Sequence, residues 1–462
     1  QTPCWLLHKR KIKGSLRRVL FGRRVGFEML LPLFLTSSAI FASGADLAEV
    51  LQGTSRTTIS AVVVGEHGEE ATSLRRWSPM GHESVAQVVS REGSRAANLS
   101  AMRLWRTEVQ GGVALVTVDR SGLRGFTLRA GEIRSLVLEG NQLREVDAIA
   151  WSKGRVPCAG TTAVAMPSPF DTDQAATRAA GDCRVLRVAF DTDWDFTNTL
   201  FAGDADDAAA YVLEVAAAVS VIYGEELNLT VEVAHVRTWG DEASCPYDPT
   251  EQNNIMLDQF RIEWESNAPE SDRHVAHLMS GSYTPASAGQ AWLGSVCRPY
   301  SYSFSSQLDG DFARPPVGHS WNIWDLLVVS HEIGHNLGAD HTHQMIPPID
   351  QCGNGDCSQA WGGTIMSYCH TCSPQGTRNI VLAFHALVRA DIDTYLDAID
   401  SVSCPVGPAS ADINGDGTVG RADLIQFLAE YGTCSECGCA GDLDHSGGID
   451  VLDLLRMLEV WG

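Results

Sequence analysis

The chain has 462 residues, 44% of them hydrophobic, and a formal net charge of -23 at pH 7. That length exceeds what one compact core holds, so two or three domains are expected. The acidic balance argues against nucleic acid and anionic membrane surfaces as partners and suits a soluble exported protein with cation sites.

Residues 1–44 read as a leader. Lys9 to Arg24 is strongly basic, and an apolar run from Met29 ends in the small residues Ala42, Ser43, Gly44 and Ala45. This is the pattern of a signal peptide cleaved near Ala45, and it is too short for a membrane span. Two readings of residues 1–28 stay open: a long basic flank of the signal, or an upstream extension that is not normally translated. The expected location is secreted, extracellular or cell-surface associated. Cysteine parity agrees, because of 13 cysteines only Cys4 falls in the leader. An oxidising compartment favours pairs such as Cys158 with Cys183 and Cys352 with Cys357.

Residues 45–158 are β-rich. The segments from Thr57 to Val64, Gly112 to Val118, Leu123 to Leu128 and Ile133 to Leu138 are short and apolar, with turn residues between them. Such strands call for an antiparallel sheet burying one face. Residues 159–182 are rich in Ala, Thr, Asp and Pro, an exposed linker with Arg178 as a candidate cut site.

A third region, residues 183–403, opens with a strand from Arg184 to Phe190, a helix from Asp207 to Tyr223 and a strand from Leu227 to Val236. This β-α-β order predicts a mixed, partly parallel sheet of α/β (α+β) class. A helix from Asn254 to Trp264, a strand from Arg273 to Met279, an edge segment from Ala291 to Val296 and a closing helix from Ile380 to Leu396 follow.

Within this region Trp324 to His341 reads WDLLVVSHEIGHNLGADH. Residues four apart share one helix face, so His331 and His335 can reach one zinc ion, with Glu332 placed to draw a proton from water. Gly338 can supply a left-handed turn that returns His341 to the same metal. Three imidazoles leave the fourth zinc position open, as hydrolysis requires. Further on, Gly363 to Tyr368 is a tight segment carrying Met366.

The string H-E-x-x-H-N-x-G-x-x-H followed by this methionine segment resembles the metzincin zinc peptidases. The Asn336 to Gly338 string, the β-α-β opening and Val233 to Trp239 resemble reprolysin-like members in particular. The resemblance implies one catalytic zinc held by His331, His335 and His341, Glu332 as general base, a floor under the histidines made by Met366, and an edge strand that takes substrate peptide as an added strand. It also implies that residues 45–158 are a separately folding propeptide that holds the enzyme inactive, with Leu123 to Phe126 weakly similar to such propeptides. Cys158, in Arg155 to Gly160, then has two readings: a thiolate filling the fourth zinc position until the linker is cut, or the disulfide to Cys183. Two departures from animal-type members, Thr342 and His343 after the third histidine and Tyr368 in the turn, point to a bacterial subgroup. His343, His370 and His385 are candidates for hydrogen bonds to the ligands, and His319 reads as a loop residue. Cys352, Cys357, Cys369 and Cys372 read as disulfide staples, with a second zinc as the alternative.

Residues 404–462 change composition again. Asp412, Asn414, Asp416 and Asp423 place oxygen ligands at positions one, three, five and twelve of a calcium loop, with Gly417 at six. Asp442, Asp444, Ser446, Asp450 and Asp453 repeat the pattern thirty residues later, and each loop leads into a helix, Leu424 to Tyr431 and Leu454 to Trp461. Duplicated loops of this kind predict a small all-α, EF-hand-like module holding two structural calcium ions. Asp at the twelfth place and one helix per loop resemble a type I dockerin, which implies a cohesin-like or cell-surface partner. Cys434, Cys437 and Cys439 in the connector depart from that pattern. The functional expectation is a secreted zinc metalloendopeptidase; the alternative is a catalytically spent adhesion or scaffold protein acting through the dockerin-like module.

Overall fold

The computed structural model describes residues 47–146, 184–400 and 411–461, except 55, 57, 66–67, 121, 130–131, 249–252, 268–272, 283–287, 312–322, 412, 414–417, 434–440, 442 and 444–447. The leader, the linker with Cys158, Arg178 and Cys183, and His319 lie outside the described residues. No helix among the described residues is long and apolar enough to cross a membrane.

A short helix α1 (Leu47–Gly53) precedes nine strands: β1 (Thr58–Gly65), β2 (Gly68–Trp77), β3 (Met80–Ser90), β4 (Gly93–Ala96), β5 (Arg103–Val109), β6 (Gly112–Asp119), β7 (Gly122–Arg129), β8 (Glu132–Glu139) and β9 (Gln142–Val146). Seven of them close a barrel in the order β1-β2-β5-β6-β7-β8-β9. Antiparallel neighbours make most of the wall, and a short parallel pairing of Val63 with Leu143 closes it. Leu47 and Leu51 of α1 join Val63, Trp105, Ala114, Val116 and Leu143 in its interior.

This corrects the expected one-faced antiparallel sheet in two respects. The sheet curls shut, which removes its free edges. Strand β6 is buried along both faces: Ala114 and Val116 point into the barrel, while Val113 and Leu115 belong to the core of the following region. Its unbroken apolar run, from Val113 to Val116, is the mark of a strand covered on both sides.

A third difference concerns β3 and β4. Between barrel strands β2 and β5 the chain leaves the barrel, forms this hairpin and returns. The hairpin joins a second sheet whose other members come from residues 184–305: β10 (Arg184–Thr192), β11 (Leu229–Trp239), β12 (Val275–Met279), β13 (Gly289–Ala291) and β14 (Tyr302–Ser305). The order is β13-β14-β12-β10-β11-β3-β4. The interior strands run parallel, and β13 and β4 are antiparallel edges.

Helix α2 (Ala205–Leu227) makes the crossover from β10 to β11. Asp204 caps it by accepting from the amides of Asp206 and Asp207, and Asn228 ends it with φ of 52°. Its buried alanines, among them Ala208, Ala209, Ala216, Ala217 and Ala218, let it lie close to the strands. Helix α3 (Asn253–Asn267) packs on another part of the sheet, where Arg237 of β11 pairs with buried Asp191 of β10 at 2.6 Å and Trp264 donates to the same carboxylate at 2.8 Å. A buried charge pair is tolerable only with such complete pairing.

Helix α4 (Trp324–Asn336) carries the histidine string, and α5 (Ala386–Asp400) closes the region. The sequence places the start of α5 at Ile380, six residues early. Residues 380–384 are instead committed to holding the methionine segment: the amide of Val381 donates to Gly363 O at 2.8 Å and that of Ile365 to Ala383 O at 2.9 Å.

In the C-terminal region, α6 (Arg421–Glu430) and α7 (Val451–Glu459) follow the two loops, and β15 (Gly432–Thr433) pairs antiparallel with β16 (Gly448–Ile449). Ala411, Ile413, Val419, Phe427, Leu443, Ile449 and Met457 make a separate small core.

Candidate metal centre

Helix α4 exists because Leu326, Leu327, Val329 and Ile333 bury its apolar side. Its first turn is pinned by Asp325, whose carboxylate accepts from the amides of Asp309 at 2.8 Å and Gly310 at 3.0 Å and from the Tyr211 hydroxyl at 2.6 Å. Burial pushes the Asp325 carboxyl up to about 7. After Asn336 the chain reverses at Gly338, where φ is +89° and an added Cβ would sit 3.1 Å from the Tyr395 ring. Left-handed backbone against an aromatic ring suits glycine. The reversal brings His341 back beside the helix.

The ε nitrogens of His331 and His335 lie 3.1 Å apart, as do those of His335 and His341. Each δ nitrogen sits 2.7 Å from an oxygen: Ile365 O for His331, Ala339 O for His335 and Gln344 Oε1 for His341. Three carbonyl-type acceptors fix the proton on each δ nitrogen and turn every ε lone pair inward. Burial, followed by the neighbouring imidazoles, holds His331 well below its usual range; burial lowers His335 to about 4 and also lowers His341. Three neutral donors facing one point repel one another unless a cation lies between them. The edge of a zinc tetrahedron with bonds of about 2.0–2.1 Å is roughly 3.3 Å, close to the spacing found here. The donor set therefore fits a metal ion, and these three residues form a group able to hold one.

Glu332 is 5% exposed, and its Oε2 has no hydrogen-bond partner among the described residues. Burial drives its carboxyl well above the ordinary carboxylate range. Oε1 lies over the edge strand: a Cβ placed on Gly289 of β13 would be 2.4 Å from it. Gly289 thus leaves the space that the carboxylate occupies. Asn336 secures the chain beyond this edge, with its Nδ2 within 3.0 Å of Trp292 O and 2.9 Å of Ser295 Oγ, while the Gly294 amide donates to His335 O at 2.9 Å.

Met366 is fully buried beneath the helix, and its sulfur would be 2.9 Å from a Cβ at Gly334. Glycine inside the H-E-x-x-H unit thereby admits the methionine segment. Tyr368 lies 4.5 Å from the His341 ring centre to centre, and burial, with a further contribution from Glu332, raises its phenol. The expected pair Cys352–Cys357 is not formed. Cys352 bonds to Cys369 and Cys357 to Cys372, so both bridges tie the loop after His341 to the segment that follows Met366. With those sulfurs bonded to each other, a second zinc on the four cysteines has no thiolates to use.

Three histidines considered as partners of the ligands take other places. His343 stacks on His341 at 5.2 Å, His370 packs against Trp324 at 5.5 Å, and His385 accepts from the Leu387 amide at 3.3 Å. The positions they were expected to fill belong to two backbone carbonyls and to Gln344. Gln344, three residues after His341 in a turn closed by its own amide to His341 O, was the one of these with a signal in the sequence. Gly289 had none, because its role is an empty volume.

In the C-terminal region Asp423 and Asp453 are fully buried, and each accepts at 2.8 Å from the amide three residues earlier, Gly420 and Asp450 respectively. Asp450 also caps α7 through the Leu452 amide at 2.7 Å. Asp412, Asn414, Asp416, Asp442, Asp444 and Ser446 lie outside the described residues.

Residues 182–380 match a family described as Reprolysin_5, Metallo-peptidase family M12. Among solved structures, metalloproteinase-II from Bacteroides fragilis is similar over 76% of this chain and 94% of its own, with 13% identity and a TM-score of 0.35. A chaperone-substrate complex is similar over 56% of this chain and 36% of its own, with 11% identity and a TM-score of 0.27. The match over residues 182–380 makes this part of the chain similar to a metallopeptidase, and it contains all three histidines of the cluster.

Proposed function

We propose that the chain is an exported zinc-dependent endopeptidase, with His331, His335 and His341 holding the metal and Glu332 as general base. The observation that carries the reading is the convergence of three ε nitrogens beside a buried carboxylate whose Oε2 has no partner among the described residues. Two disulfides among the described residues support an oxidising location.

A zinc ion in this cluster supplies Lewis acidity toward a carbonyl oxygen and lowers the pKa of water. Glu332 takes the proton of the attacking water on Oε2 as that water adds to the scissile carbonyl carbon. It then returns the proton to the departing amine nitrogen as the C–N bond breaks. The Ile365, Ala339 and Gln344 oxygens keep the three imidazoles in one tautomer throughout. Strand β13, an edge beside Glu332, can pair with an extended peptide, so the substrate class is an internal segment of an unfolded or loop-exposed protein.

Glu332→Gln is expected to lower cleavage of an unfolded protein by about 10²–10⁴-fold while zinc content stays unchanged. Chelation should abolish cutting in the parent. Full activity in the variant, or loss of its metal, would contradict the role of Glu332. No cutting by zinc-loaded parent protein would favour the other reading, a spent peptidase acting through its C-terminal repeats, which is supported by the exposed apolar residues Ile425 and Leu428 on α6 and Leu452 and Leu455 on α7.

Gly289→Ala should displace the Glu332 carboxylate and reduce kcat by about a hundredfold, as a misplacement near 1 Å does. Zinc content should be unaffected, and adding Glu332→Asp should cost little more. Parent-level kcat in Gly289→Ala would show that the close approach has no part in placing the base.

The C-terminal repeats are proposed to hold two calcium ions, supported by the matched burial and hydrogen bonding of Asp423 and Asp453. Calorimetry should find two calcium sites per chain, with Asp423→Ala and Asp453→Ala each removing one. Absence of calcium binding to the parent would reject the assignment, and with it a calcium-stiffened mount for a cohesin-like or cell-surface partner.

A further inference from the structure

The resemblance to propeptides implies that the N-terminal region folds separately and holds the enzyme inactive until the linker is cut. The junction between that region and the histidine-bearing region has a different character. Strand β3 lies parallel to β11, with Val85 opposite His235 and Val89 opposite Trp239, so the hairpin covers the edge of the sheet. Leu104, Val113, Leu115, Phe126 and Leu128 on the barrel's outer side form one continuous core with Val212, Leu213 and Val219 of α2. Both contacts are apolar and hydrogen-bonded in the manner of a domain interior rather than of a transient interface.

Charges pin the same surface. Arg124 of β7 forks onto Glu214 of α2, with Nε 2.6 Å from Oε1 and Nη2 on Oε2, and its Nη1 meets Asp119 at 2.6 Å. Glu214 is 2% exposed, so it would be a buried, uncompensated charge without Arg124. Arg95 of β4 forks onto Asp206 in the first turn of α2, at 2.7 and 3.0 Å. Basic residues on the N-terminal side meet acidic residues on α2 at both points.

The histidine cluster lies elsewhere. Its neighbour Glu332 lies against Gly289 at the β13 edge, and β3 is five strand spacings away in the sheet order, about 24 Å at the usual spacing. The described part of the N-terminal region can therefore stay in place without covering the histidines.

We propose that residues 47–146 are a permanent partner of the histidine-bearing region, completing its sheet and core, and that they remain bound non-covalently after the chain is cut between residues 147 and 183. Removal would bare β11 from Val233 to Trp239, uncover the apolar residues of α2 that pack on β6 and β7, and take Arg124 from Glu214. An uncovered strand edge is a template for unwanted pairing, so the cut product is a two-chain protein rather than a released peptidase.

The test uses the full chain with a site for a sequence-specific protease inserted after Ser168. After complete cutting, size exclusion at low and high salt should give one peak, at the position of the uncut chain and containing both fragments, and the β11 amides should keep their protection from hydrogen exchange. Separation of the fragments, or loss of that protection, overturns the proposal. Arg124→Ala, checked for parent-like circular dichroism before cutting, should weaken retention by about a hundredfold or more; unchanged retention would overturn the role given to the Arg124–Glu214 pair. Neither readout depends on turnover, so the result stands apart from whether the protein cleaves peptides.

Discussion

Everything near the centre follows from having to aim three imidazole lone pairs at one point. Helix geometry brings His331 and His335 together without further help, since they are one turn apart. His341 is not on the helix and has to be carried back, which requires the reversal at Gly338. Orientation has a separate cause: each ring turns its ε nitrogen inward only because an oxygen behind it holds the δ proton. One of those oxygens, Ile365 O, is supplied by the methionine segment, which is why two disulfides and the tether to residues 380–384 converge on that loop.

The sheet is defined from both ends. At one edge, β13 pairs antiparallel with β14 and its Gly289 lies against Glu332. At the other, a hairpin from a different part of the sequence covers β11. This arrangement sets the Glu332 edge apart from the edge covered by the hairpin and gives the N-terminal region a part in building the sheet.

Much of this was legible in the sequence where a pattern is local. Period and spacing located α2 and strands β10 and β11 to within two to four residues at most ends, and the H-E-x-x-H unit with Gly338 marked the residues that the structure brings together. What was not legible depends on long-range pairing. The β3–β4 hairpin is not picked out as strands in the sequence, and its pairing partner lies some 150 residues downstream, as in the contact of Val89 with Trp239. Cysteine order suggested Cys352–Cys357, but spacing cannot choose among pairings, and the fold crosses them. The three extra histidines drew attention because histidine has chemistry, whereas the groups actually behind the ligands are mostly backbone carbonyls, which no side-chain pattern marks.

The most direct measurement is X-ray absorption at the zinc edge on the purified chain, with metal content determined on the same sample. One zinc per chain, with three nitrogen neighbours at about 2.0–2.1 Å and a light atom completing the shell, is the expected result, and His341→Ala should remove one of those nitrogens. A chain that binds no zinc, or a shell containing sulfur or four protein nitrogens, would contradict the assignment of an open, three-histidine hydrolytic centre.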